Sequence, residues 1–180
     1  MVNELAERAT AAVAQEAAAA VRDPELPMLT LADLGVLREV RVDGDGTVTA
    51  VLTPTYSGCP ALAEMRADVD SALRAAGFAD VRVETQLSPP WSTDHITAAG
   101  RRKLAEAGIA PPGAAPRRVE GPVPLTLGPP RLGRSGAAVV HCPRCGSPDT
   151  EETSRFGATA CKALRRCRAC REPFEQVKEI

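Results

Sequence analysis

Val36-Leu-Arg-Glu-Val-Arg-Val42, then Asp43-Gly-Asp-Gly46, then Thr47-Val-Thr-Ala-Val-Leu-Thr53 is the stretch that decides the fold. Residues 36–42 and 47–53 alternate apolar and polar side chains, the period of a half-buried strand. The Asp-Gly pairs between them supply the positive φ that tight hairpin turns need. Downstream, Pro54-Thr-Tyr-Ser-Gly-Cys-Pro60 opens a helix, because proline suits a first helical turn where no N–H is needed. Leu62, Met65, Val69, Ala72 and Leu73 then recur at helical spacing up to a stop at Gly77. Residues 80–87 read as a third strand with Val81, Val83 and Thr85 on one face. Upstream, residues 4–21 are an Ala-rich helix with Leu5, Ala9, Val13 and Ala20 roughly on one face. Arg22-Asp-Pro-Glu-Leu-Pro27 breaks it, and Asp33-Leu-Gly35 turns into the first strand. The order helix–strand–strand–helix–strand predicts a small α+β domain, one sheet with helices on it.

Past this unit, residues 88–94 form a Pro-rich loop that leads to a short helix at 97–107, ended by Gly108. Residues 110–138 hold seven of the sixteen prolines and few large apolar side chains, so they read as an extended linker. The expected division is an α+β domain over 1–109, a linker over 110–138 and a cysteine module over 139–180.

Composition narrows the function class. The net charge of -1 supplies no global field for nucleic acid or membrane, although the last forty residues are more basic than acidic. With 3% aromatic residues, the core must be built from Ala, Val and Leu. Glu4 and Glu7 interrupt the first residues and no apolar run is long enough to span a bilayer, so a cytoplasmic setting is expected. There, six cysteines argue for metal or thiol chemistry rather than disulfides.

Four of them form two Cys-x-x-Cys pairs, Cys142/Cys145 and Cys167/Cys170, with twenty-one residues between the pairs. Each pair lets a tight turn aim two thiolates at one ion, and two pairs complete a closed tetrahedral site. A zinc ribbon is predicted, with strands near residues 150–156 and 174–177 and a structural zinc that staples a module too small to fold alone. Iron in a rubredoxin-like site is the alternative metal. Arg144, Lys162, Arg165, Arg166, Arg168 and Arg171 would offset the charge of four thiolates. His141 is expected to face solvent. Cys161, six residues before Cys167, is an extra thiol that reads as a buried neighbour of the site, an alternative ligand or a reactive group.

Cys59 falls at the expected N-cap of the helix beginning at Pro60, where free N–H groups stabilise a thiolate. Either it is a reactive or metal-donating cysteine, or it is a small side chain packed at a helix start. Asp23, Glu25 and Asp33 could line the same site or merely form turns. His95 is the one other histidine, and a Cys/His hydrolase finds no further support.

Asp23-Pro-Glu-Leu-Pro27, Leu31-Ala-Asp-Leu-Gly-Val36 and Thr53-Pro-Thr-Tyr-Ser-Gly-Cys-Pro60 together resemble the small domain of iron–sulfur assembly and targeting factors, the SUF-system T protein among them. Pro89-Pro-Trp-Ser-Thr-Asp-His-Ile-Thr-Ala-Ala-Gly-Arg-Arg-Lys-Leu104, Cys142-Pro-Arg-Cys-Gly146, Ser154-Arg-Phe-Gly-Ala-Thr-Ala-Cys-Lys-Ala-Leu164 and Cys167-Arg-Ala-Cys-Arg-Glu-Pro-Phe174 resemble the PaaD family of phenylacetyl-CoA epoxygenase components. The first resemblance implies that Cys59 is the functional thiol, transiently holding iron or an iron–sulfur cluster. The second implies an accessory of a multicomponent di-iron oxygenase that makes a ring epoxide from phenylacetyl-CoA in phenylacetate degradation. Paired Glu-x-x-His motifs and a Gly-rich dinucleotide fingerprint are both missing from the sequence, so the chain itself is not expected to be an enzyme. The implied role is maturation of a metal centre, with the oxygenase, its reductase or the assembly machinery as partners. A structural component without chemistry is the alternative. Nucleic acid and membrane are not expected partners; the exposed edges of a three-stranded sheet leave room for a homodimer.

Overall fold

In the computed structural model, residues 2–116 and 139–180 are described, with side-chain environments from residue 10 onward. Two sheets carry the molecule. The first holds β1 (Leu37–Val42), β2 (Val48–Leu52) and β3 (Val81–Thr85) in that spatial order. β1 and β2 pair antiparallel, with Val42 opposite Val48 and Val40 opposite Ala50. The connection between them closes by Asp43 N–H to Thr47 O (2.9 Å) and Gly46 N–H to Asp43 O (2.9 Å), with Gly46 at φ 87°. Glycine takes this left-handed conformation without a Cβ penalty. β2 and β3 are parallel, and the crossover between them is α2 (Leu62–Ala75). Met65, Val69 and Leu73 form the buried face of α2, as the helical spacing predicts.

Two expectations change in detail. β2 is not half-buried: every residue from Val48 to Leu52 is buried, because it is the central strand. The first helix, α1 (Val2–Ala19), turns a different face inward. Ala14 and Ala18 are fully buried and Val13 is exposed, which lets α1 lie close against β1 and α2 on small side chains. An all-alanine stripe gives no amphipathic contrast, so the sequence does not reveal which face packs.

After β3 the chain passes the 88–94 loop. Trp91, buried, donates its indole N–H to Leu34 O (2.9 Å). α3 (Ala98–Glu106) starts at Thr97, whose hydroxyl caps Gly100 N–H (2.9 Å). Its first turn lies on the 33–35 turn: Thr97 N–H donates to Asp33 O (2.9 Å), and a Cβ on Gly100 would come within 2.7 Å of that same oxygen.

The second sheet has the order β4-β7-β6-β5, with β4 (Ile109–Ala110), β5 (Thr150–Ser154), β6 (Lys162–Cys167) and β7 (Pro173–Val177). β4 precedes the proline-rich stretch, yet it pairs in parallel with β7. The sheet period of two then joins two cores. Ile109 and Val177 pack into the main core with Leu104 and Leu31, whereas Ala110 and Phe174 pack into a smaller one with Val140, Cys142 and Cys167. The cysteine module thus sits against the α+β unit through a shared strand pair. Most of the expected linker, residues 117–138, lies outside the described residues. No helix among the described residues is long and apolar enough to cross a membrane.

Candidate functional site

The four ribbon thiols converge. Their sulfurs all lie within 4.8 Å of one another, with Cys142 Sγ 3.8 Å from Cys170 Sγ and Cys145 Sγ 3.6 Å from Cys167 Sγ. Bonds of about 2.3 Å to a tetrahedral ion put its sulfurs about 3.8 Å apart, so these four residues fit one metal ion. Both knuckles are built alike. Cys145 is followed by Gly146 at φ 73° and Cys170 by Arg171 at φ 66°, so each pair ends on a left-handed residue. After each bend a backbone N–H faces sulfur, Ser147 toward Cys145 and Glu172 toward Cys170, and ahead of the second bend Cys170 N–H donates to Cys167 Sγ (3.5 Å). The Cys170 N–H, with further help from the neighbouring thiols, lowers Cys167 to about 7. The Glu172 N–H favours the Cys170 thiolate, but burial and the adjacent thiols push Cys170 up to about 12. Metal uptake here therefore displaces protons, the first of them most readily from Cys167.

Three of the cations expected to offset this site have local partners. Arg168 pairs with Glu151 (2.9 Å) and Lys162 with Glu175 (2.9 Å), while Arg165 donates to Gln176 and Thr150. His141 is exposed, its Nδ1 3.0 Å from Gly146 O.

Cys59 lies in the turn ahead of α2. The helix opens at Leu62 with Ala61 as its N-cap, two residues beyond the expected position. Cys59 is half-buried. Its thiol is pushed up rather than down: burial dominates, the Ala61 N–H opposes it, and Glu25, Asp23 and Cys161 add to the rise. A helix terminus alone would lower the thiol, but desolvation with nearby negative charge wins.

Asp23 and Glu25 act on this thiol electrostatically. Asp23 is buried, and its Oδ1 accepts the N–H groups of Glu25 (2.9 Å) and Leu26 (2.7 Å), so it also builds the turn. Asp33 is committed to Lys103 (2.6 Å) and to Thr30 N–H (3.0 Å), tying the 30–35 turn to α3. Burial alone would raise Asp33, but Lys103 and Thr30 hold it below the usual carboxylate range. His95 accepts Ser92 N–H at Nδ1 (3.0 Å) and so caps its own 3-10 turn.

Cys161 is buried, with its sulfur 3.1 Å from Thr159 Oγ1. Its charge acts on Cys59 and on Tyr56, and Glu25 acts on all three. Lys162 is also buried and faces Asp23 and Glu25 electrostatically. Electrostatics thus couples groups of the α+β turns, Asp23, Glu25 and Cys59, to Cys161 and Lys162 of the ribbon. Sequence reading picked out Cys59, Asp23 and Cys161 separately; it gave Tyr56 and Lys162 no place in this set, because no spacing rule links residues so far apart in the chain.

Comparison with known proteins divides the chain along similar lines. The model of an iron–sulfur cluster assembly protein matches residues 10–85, and that of the PaaD zinc beta ribbon domain matches residues 127–178. The chain is similar in fold to a solved domain of unknown function, DUF59, from Bacillus anthracis, at 24% identity and a TM-score of 0.52, over 56% of this chain and 96% of that one. The Fe-S protein maturation auxiliary factor SufT of Staphylococcus aureus (strain USA300) is 35% identical over 43% of this chain and 88% of its own length. A protein of Escherichia coli (strain K12) named as one of the subunits of 1,2-phenylacetyl-CoA epoxidase is 42% identical over 89% of this chain and 87% of its own length. A likeness of that extent runs through both the assembly-type domain and the ribbon, and on it the chain belongs to the PaaD family of phenylacetyl-CoA epoxidase components.

Proposed function

We propose that this chain is an accessory protein that handles iron for the phenylacetyl-CoA epoxidase system, loading an iron–sulfur or di-iron centre of one of its components. The observation that carries the reading is the union, in one chain, of an iron–sulfur assembly domain with Cys59 in its Gly-Cys-Pro turn and a four-cysteine ribbon of the PaaD type. Likeness to named Fe-S maturation factors supports the handling of iron, and likeness to the Escherichia coli epoxidase component supports the oxygenase as client. In this reading Cys59 is the cargo thiol, Asp23 shapes its turn, and zinc fills the ribbon as a closed structural site. Such an accessory works in the cytoplasm beside its clients.

The test is to produce the epoxidase components in cells with and without this chain and to measure their iron and acid-labile sulfide. A fall in the metal content of one component without the chain is expected, and that component is the client. Full metal centres together with impaired assembly of the complex would instead make the chain a structural component, as the name of the Escherichia coli relative also allows.

A further inference from the structure

We propose that β3 is a self-association edge, on which a second copy of this chain pairs antiparallel about Val83 and joins the two three-stranded sheets into one continuous sheet. The inference stands apart from the iron-handling reading and gives the homodimer that an open sheet edge allows a defined register.

Among the described residues, β3 ends its sheet, with β2 on one side and no strand on the other. Val48 N–H donates to Asp80 O (2.8 Å) and Gln86 N–H to Leu52 O (2.9 Å), so the even-numbered residues of this segment turn their backbone groups toward β2. Val81, Val83 and Thr85 therefore turn theirs outward. Among the described residues, one side chain covers that edge: the exposed Arg66 donates to Val83 O (2.9 Å). The carbonyl keeps a second lone pair for a partner strand. A bare edge of this kind is a template for pairing. What selects a second copy is the strand itself, Val81-Arg-Val-Glu-Thr85. Antiparallel pairing about a two-fold axis at Val83 sets Arg82 opposite Glu84 of the copy, and Glu84 opposite the copy's Arg82. Both pairs fall at positions without ladder hydrogen bonds, where facing Cα atoms come closest, about 4.5 Å apart. Opposite charges facing each other there are favourable. Sliding the copy by two residues centres the axis on Arg82 or on Glu84, and a like charge then meets itself. Sliding it by one sets outward backbone groups against inward ones. Arg82 and Glu84 are both exposed, and the 3.7 Å approach of Glu84 to Arg41 is a surface contact worth little. On the other face of β3, Val81 and Val83 are half-buried and line a groove with Ala63, Arg66, Ala67 and Asp70 of α2. The small, exposed Ala63 and Ala67 leave room for the α2 of the copy, which the same axis brings to that side. The opposite edge, β1, carries a shift of register between Leu37 and Glu39, an irregularity that blunts pairing.

The test uses the full, reduced chain in sedimentation equilibrium over a concentration series, with amide hydrogen exchange read residue by residue. A reversible dimer is expected. As it forms, the N–H groups of Val81, Val83 and Thr85 should gain protection, while those of Arg82 and Glu84, which face β2, should not change. Arg82→Glu and Glu84→Arg should each weaken the dimer by roughly tenfold or more, because both facing pairs become like-charged. Mixed in equal amounts, the two variants should dimerise with each other about as tightly as the parent chain, since every facing pair is then of opposite charge. That rescue separates a lost register from a misfolded variant. A chain that stays monomeric, protection that does not follow concentration, or a mixture no tighter than either variant alone overturns the proposal. So does a dimer that Glu39→Arg disrupts and Arg82→Glu leaves intact, which places the copy on β1 instead.

Discussion

At Cys59, a helix start that would lower a thiol competes with burial and with the negative charge of Glu25, Asp23 and Cys161. Burial and charge prevail, so at neutral pH the sulfur is held as a thiol. This guards against oxidation, which proceeds through the thiolate. Alkylation of Cys59 by iodoacetamide is therefore expected to be slower at pH 7 than that of an unhindered thiol, and to rise as pH approaches the raised value. Because Glu25 contributes to the rise, Glu25→Gln should speed alkylation at pH 7 by a few-fold, read by mass spectrometry of the tryptic peptide; an unchanged or slower rate would contradict the assignment. The sequence showed the Gly-Cys-Pro turn and the acids of the 23–25 loop, since both are short local motifs. It did not show the sign of the shift, which depends on burial first and then on Glu25, Asp23 and Cys161.

The elements most open to sequence reading were those with strong local periodicity. The hairpin announced itself through alternation around two Asp-Gly pairs, and α2 through its apolar spacing. β6 and β4 escaped for opposite reasons. Lys162–Cys167 carries Lys and two Arg, so its strand character comes from lying between β5 and β7 rather than from its own residues. Ile109–Ala110 is two residues long and is a strand only because β7 is beside it. That strand pair couples the four-cysteine site to the rest of the fold. Structural zinc contributes roughly 10–16 kcal/mol of apparent binding energy in small modules, so with zinc as the proposed occupant its removal is expected to open the ribbon. Treatment with a strong chelator should abolish amide hydrogen-exchange protection in β5, β6 and β7 and, through the shared pairing, at Ile109 and Ala110. Protection in α2 and β2, buried in the main core, should fall much less. Protection in β6 that survives complete zinc removal would contradict a ribbon folded by its metal.

Over the whole molecule, the two halves follow separate physical logics. One is a layered α+β core of Leu, Val and Ala, and the other a minimal core completed by thiolates. Their existence could be read from the chain, because each has its own sequence signature. Their meeting could not: about a hundred residues separate Cys59 from Cys161, with a proline-rich stretch between. The pairing of β4 with β7, and Thr93 N–H donating to Ile180 O (3.1 Å), join the two halves. The central claim is that this chain delivers iron, and it is tested most directly by transfer. The chain is loaded with isotopically labelled ferrous iron, re-isolated, and mixed with the metal-free epoxidase components in the presence of a chelator that captures free iron. The account predicts that label moves into one component with the intact chain, and that the Cys59→Ser chain delivers none. Label that stays on the chain, or a component that fills equally well from free ferrous iron whether or not the chain is present, would contradict it.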